Sequence, residues 1–228
     1  MKKLLVTLLV LVALLVGADR IAAYVAAQQV AGKIRTSAML AADPKVKIAG
    51  FPFLTQAFAG RYDRIDVTAD DVDRGGVRLT HFTTSLYGVQ LPLSDALGGR
   101  VQSIPVDRLT GQAVVGYVDL KSSGRMLVFT PDGDRVKVTG SISVLGQDIS
   151  ASASSTVSLD GNDLVLTPQS VSAAGQSSNL IGDAIKGAFR VRVPLGRLPY
   201  GLKLTGVKAT AAGVVVSAES GPTVLTTR

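Results

Sequence analysis

The side chains able to do chemistry in this chain are few, and their spacing excludes most catalytic schemes. His81 is the only histidine and cysteine is absent. A hydrolytic triad would have to use His81, which lies in Arg78-Leu79-Thr80-His81-Phe82-Thr83, a strand-like alternation. No Gly-x-Ser-x-Gly elbow supplies a nucleophile, so His81 reads as a hydrogen-bonded strand residue. Asp63, Asp66, Asp70, Asp71 and Asp73 are dense enough to raise calcium, but they lack the EF-hand order and its terminal Glu. They read as a solvated strand edge or turn. Arg74-Gly75-Gly76 and Gly98-Gly99-Arg100 match no phosphate loop and read as turns. Without Cys there is no disulfide, thiolate metal site or lipoprotein lipidation site, and one His cannot make a His pair. The expectation is a protein with no catalytic residues, metal or cofactor, and not an enzyme.

What remains is the chemistry of solvation. Gly50-Phe51-Pro52-Phe53-Leu54 puts two Phe and a Leu in a Pro-fixed loop, which either caps the core or inserts into a bilayer or gates a groove. Arg61, Arg64, Arg190, Arg192, Arg197 and Lys203 sit within or beside apolar strands, placed to meet phosphate or to be solvated singly. The candidates for lipid or membrane contact are Phe51, Pro52, Phe53, Leu54, Tyr24 and Ile34. Those for a headgroup are Arg61, Arg64, Arg190, Arg192 and Arg197. Carrying two acyl chains of about thirty methylenes through water costs on the order of 24 kcal/mol, which an aliphatic groove would remove.

These side chains need elements to position them. Met1, Lys2 and Lys3 form a positive start, Leu4 to Val16 is an aliphatic run, and Val16-Gly17-Ala18 supplies small residues of the kind a signal peptidase reads. The apolar stretch is 15 residues, short of the ~20 that span a hydrocarbon core unaided. Residues 1–18 therefore read first as a cleaved export signal, with an uncleaved anchor as the alternative. Both put everything after Arg20 outside the cytoplasm. Asp19 to Leu40 reads as a helix with Asp19 as N-cap and a stripe of Ile21, Tyr24, Val25, Ala27 or Gln28, Ala31, Ile34 and Ala38. Beyond Pro44 the period falls to two. The clearest case is Val136 to Leu159, where Val136, Val138, Ile142 and Val144, then Ile149, Ala151, Ala153, Val157 and Leu159, alternate with hydroxyl and charged residues. Between them lies a turn at Gly146-Gln147-Asp148, and Asn179 to Ala188 reads as a short helix. Glycines inside strand patterns (Gly88, Gly116, Gly140, Gly206) permit strong bending. The expected fold is α+β, a long N-terminal helix packed into a strongly curved, mostly antiparallel sheet, with residues 19–228 as one domain. The helix stripe is little to cover so long an aliphatic face, which leaves room for alkyl chains.

The chain carries a net charge of +7, and without Lys2 and Lys3 it has 22 basic against 17 acidic residues, or +5. Outside the membrane, so modest an excess argues against nucleic acid and for an anionic lipid surface or envelope polymer. Two other readings stand beside a lipid binder: an envelope scaffold with a packed interior, and a lipid hydrolase built on His81.

A set of motifs then occurs in order along the chain. They are Ala18-Asp19-Arg20-Ile21-Ala22, Gly50-Phe51-Pro52-Phe53-Leu54-Thr55-Gln56, Leu91-Pro92-Leu93-Ser94-Asp95-Ala96-Leu97 and Val193-Pro194-Leu195-Gly196-Arg197-Leu198-Pro199-Tyr200-Gly201-Leu202. Together they resemble the actinobacterial LmeA-like phospholipid-binding family over nearly the whole length. The resemblance implies a non-catalytic, extracytoplasmic cell-envelope protein on the outer face of the plasma membrane. Its partners would be a phospholipid, anionic and of phosphatidylinositol type, and the membrane surface. It also implies possible roles in lipid transfer or in maintaining phosphatidylinositol-anchored glycans of the lipomannan kind. By fold analogy it implies half of a tubular lipid-binding (TULIP, BPI-like) module.

Overall fold

The structure is a computed structural model, and it describes residues 2–74, 77–92, 94–95, 101–120, 127–144, 147–173, 186–195 and 198–226. The chain begins with one continuous helix, α1 (Lys2–Ala38). Ala, Leu and Val dominate it and no Pro occurs before Pro44, so nothing interrupts it at the apolar run's end. It stops where Met39 turns left-handed (φ 53°) and the Leu40 N–H returns to the Arg35 carbonyl at 3.0 Å, the pattern of a Schellman cap. Asp19 is therefore mid-helix and not the start of one.

After α1 come β1 (Lys45–Ala49), α2 (Phe53–Ala59), β2 (Arg61–Arg74), β3 (Val77–Gln90), β4 (Ser103–Val106), β5 (Arg108–Val115), β6 (Leu127–Asp132), β7 (Arg135–Val144), β8 (Gln147–Asp160), β9 (Asp163–Ala173), β10 (Val191–Pro194), β11 (Lys203–Thr210), β12 (Gly213–Ser220) and β13 (Thr223–Thr226). Three sheets have the orders β1-β2-β3-β5-β12-β11, β10-β9-β8-β7-β6 and β13-β4. Every neighbouring pair in the second and third is antiparallel. The fold is α+β, with a long N-terminal helix and mostly antiparallel sheets, one of them curled.

The chain forms two compact units: unit 1 is Met1–Asp70, Thr83–Gly111 and Ser220–Arg228, and unit 2 is Asp71–Phe82 and Gln112–Glu219. In unit 1, α1 packs against β1 and α2. The face it uses keeps Ala27, Ala31 and Ile34 of the stripe expected from the sequence but not Ile21, Tyr24 and Val25. Asp19, Ala27 and Ala31 are buried, and Ala22, Ala23, Ala26, Val30 and Ile34 half-buried, while Ile21, Tyr24 and Val25 are exposed. The alanine face wins because small side chains let the helix lie close on β1 and α2. Phe53, Ala57, Tyr62, Val89 and Val106 complete this core.

In unit 2 the β7–β8 hairpin pairs Val138 with Ala153 and Gly140 with Ala151, as the alternation requires. A bulge follows between Ser154 and Ser155 on the β9 side. A second sheet covers this hairpin: β11 packs on β8 and β7. Val136, Val138, Leu164, Leu166, Phe189 and Val214 are at most 1% exposed. Strand side chains and Phe189, the last residue of a helical turn at 186–189, bury part of the aliphatic face among the described residues. Most of the expected 179–188 helix, and Gly146 of the expected turn, lie outside the described residues, while Gln147 and Asp148 of that turn already pair with Val144 and Ser143 as part of β8.

Candidate functional site

Gly50 opens the segment that carries several of the exposed apolar side chains of unit 1. Its φ of 97° is left-handed, and a Cβ there would run into the Gln56 side chain and the Asp63 carboxylate. Only glycine fits. The Phe51–Pro52 peptide is cis, and α2 starts at Phe53 with an extended Pro52 as its N-cap. Proline has no side-chain acceptor for the first-turn N–H groups, so one must come from elsewhere. It comes from the middle of α1: Asp19 Oδ1 accepts the Leu54 N–H at 2.8 Å. Asp19 is 3% exposed. The neighbouring Arg20 donates to Asp19 Oδ2 through Nε at 3.1 Å and to the Gly50 carbonyl at 3.2 Å. Its guanidinium also stands 5.1 Å from the centre of the Phe51 ring, a cation–π distance.

Gln56, itself buried, ties the other side of α2 down by accepting the Asp63 N–H at 2.9 Å. At the C-terminal end Gly60 is left-handed (φ 66°) and its carbonyl accepts the Leu91 N–H at 2.8 Å. A Cβ on Gly60 would press on the Pro92 backbone. The Phe51–Gln56 and Leu91-Pro92 motifs thus serve one small helix from its two ends.

The loop expected to be either core or membrane contact divides residue by residue. Phe53 is 6% exposed and lies with its ring 6.2 Å from that of Tyr62. Phe51 is 61% exposed, Leu54 37% and Phe58 80%. Leu54 and Phe58, four residues apart, share the outward side of α2, and Phe51 is exposed in the loop that precedes it, whereas Phe53, Gln56 and Ala57 share the inward side. Pro52 is exposed, Tyr24 is exposed on α1 beside Ile21 and Val25, and Ile34 is half-buried.

Most of the candidate cations have carboxylate partners. Arg61 pairs with Asp107 and Arg64 with Asp66, the latter at 3.2 Å, both in unit 1. In unit 2, Arg192 bridges Asp160 and Asp163, at 2.8 Å from the latter. Hydrogen bonds from Arg192 to Asp163 and then Asp160 hold its pKa above the ordinary arginine value, so its charge is permanent but already compensated. Arg190 is exposed and, among the described residues, has no side-chain partner. Arg190 and Arg192 come together around an open depression of about 480 Å³ on the outward side of β8 to β10, with Ser158, Asp160, Val165, Thr167 and Gly187 as its other walls. Arg197 lies outside the described residues. His81 is exposed on β3, and among the described residues no group of three His, Asp or Glu side chains converges as a metal site.

Sequence reasoning did not single out Arg20, Gln56 or Phe58, and it gave Asp19 the wrong helix to cap. The Leu54–Phe58 spacing of four was the available signal for an outward apolar face. A comparison with curated proteins gives no match. The family model for LmeA-like phospholipid binding matches residues 17–219, a span that includes the Asp19–Arg20 node, α2 and the Arg190–Arg192 depression. The chain belongs to the LmeA-like phospholipid-binding family.

Proposed function

We propose that this chain is an exported, non-catalytic phospholipid-binding protein that works at the outer face of a membrane. The observation that carries the reading is the exposed apolar edge formed by Leu54 and Phe58 of α2 with Phe51 of the preceding loop, in a member of a phospholipid-binding family. Exposed aromatics are usually costly in water, and three apolar side chains pinned outward from both ends of a helix imply something apolar to meet them. Acyl chains are met at this edge rather than at Leu164, Leu166 and Phe189 of unit 2, which are at most 1% exposed. Within unit 2, Arg190 is the candidate cation left for a phosphate among the described residues, since Arg192 faces carboxylates, as Arg61 and Arg64 do in unit 1. Its charge suits an anionic lipid of the phosphatidylinositol type. Such a protein would support lipid transfer or the upkeep of lipid-anchored glycans.

The test is lipid extraction and mass spectrometry on the purified protein, with the Phe51→Ser/Phe58→Ser variant as blank. Phospholipid near one per chain, lost in the variant, is the expected result. No phospholipid above the blank would overturn the reading. A second reading, an envelope scaffold, is favoured by the closed core of unit 2 and predicts that negative result.

A further inference from the structure

The junction of α1 with α2 bears on what happens to residues 2–18. In the folded chain α1 runs unbroken through Ala18 and Asp19. Its leucines and valines from Leu4 to Val16 are 39–75% exposed, so little among the described residues covers this rod. The whole of α1 is long and apolar enough to cross a membrane, although Leu4 to Ala18 alone is short of the ~20 residues that do so unaided. From Leu4 to Ala18 it measures about 22 Å at ~1.5 Å per residue. Lys2 and Lys3 can reach headgroups at one end by snorkelling and local thinning of the bilayer accommodates a short span, while Arg20 marks where α1 meets the Gly50–Phe51 loop at the other.

We propose that residues 2–18 stay on the working protein as a membrane anchor, and that Asp19 and Arg20 lock this anchor to α2. The bilayer holding α1 is then the bilayer that Phe51, Leu54 and Phe58 face. The inference rests on the membrane-surface reading above and adds the retained anchor and the lock. Asp19 can lend its carboxylate to α2 because its own backbone is already satisfied within α1. A chain cut before Asp19 would leave the first four N–H groups of a shortened α1 without partners. The same carboxylate would be drawn to them, and a new ammonium would stand beside the positive end of α2. Arg20 fixes the second half of the joint, because its contacts with Gly50 and the Phe51 ring tie the exposed loop to the helix one residue past the apolar run.

The first measurement is the intact mass of the full chain isolated from the membranes of a host that exports it. A mass that includes residues 2–18 is expected, with the protein retained in membranes washed with alkaline carbonate. A chain beginning at Asp19 would overturn the proposal. The second is amide hydrogen exchange at Leu54. Asp19→Ala should speed it roughly fivefold, the scale of a lost helix cap, while Asp19→Asn, which keeps an acceptor, should change it little. Unchanged protection in Asp19→Ala would refute the lock. The two levels separate cleanly: phospholipid bound to a chain cut at Asp19 sinks this inference alone, whereas an uncut chain that binds no phospholipid sinks the function and leaves the anchor standing.

Discussion

Replacing Phe51 by tryptophan turns the exposed edge of α2 into its own reporter, because the chain contains no other Trp. On vesicles the indole should move from water into the interfacial region, shift its emission to the blue and be quenched by brominated acyl chains. The strength of docking follows from exposure. Burying a whole Phe is worth ~1.5–3 kcal/mol. Phe58 is 80% exposed and Phe51 61%, so docking gains about 2 kcal/mol from the first and about 1.5 kcal/mol from the second. Adding Phe58→Ser to the Phe51→Trp reporter should therefore lower the ratio of docked to undocked states roughly thirtyfold. The quenching should fall with it. Phe53→Ala is the control, since Phe53 is 6% exposed and faces Tyr62. It should cost about 3–5 kcal/mol of stability and lower Tm by about 6–20 °C, whereas Phe58→Ser should leave Tm within a few degrees. Reporter emission indifferent to vesicles would refute the reasoning, as would a large stability loss in Phe58→Ser.

Other outcomes follow from neighbouring contacts. Gly50→Ala should destabilise by about 1–3 kcal/mol, read by thermal melting, because the left-handed backbone and the Gln56 and Asp63 side chains leave no room for a Cβ. Leu166→Ala, at a fully buried position, should cost about 2–5 kcal/mol yet leave the phospholipid bound per folded chain unchanged. A proportionate loss of lipid would return the acyl chains to the interior of unit 2. Arg190→Gln should weaken binding to anionic vesicles more than to neutral ones, with the difference vanishing at high salt. Arg61→Gln, whose cation already faces Asp107, should alter neither.

The sequence was most informative where period decides structure. The β7–β8 alternation placed Val136, Val138, Ala151 and Ala153 on one face, and they are core. It was least informative where one residue's environment depends on another's distant backbone. Phe51 and Phe53 are two positions apart in one motif, yet a left-handed Gly50 and a helix start at Phe53 send them to opposite sides. The cap chemistry of Asp19 was legible, but the helix it serves lies 35 residues away, a pairing no local window contains. The buried side of α1 was legible at Ala27, Ala31 and Ile34 but not nearer Asp19, where Ala22, Ala23 and Ala26 carry little hydrophobic signal and Ile21 and Tyr24, which carry more, are exposed. The pairing of Arg192 with Asp160 and Asp163 depends on the register of β8, β9 and β10, which composition cannot reveal.

Photo-crosslinking with a phospholipid that carries a diazirine in its acyl chain, followed by peptide mapping, tests the central claim most directly. Adducts are expected at Phe51, Leu54 and Phe58, with Phe53 and the Leu164–Leu166 core unlabelled. Adducts confined to unit 2, or none at all, would contradict it.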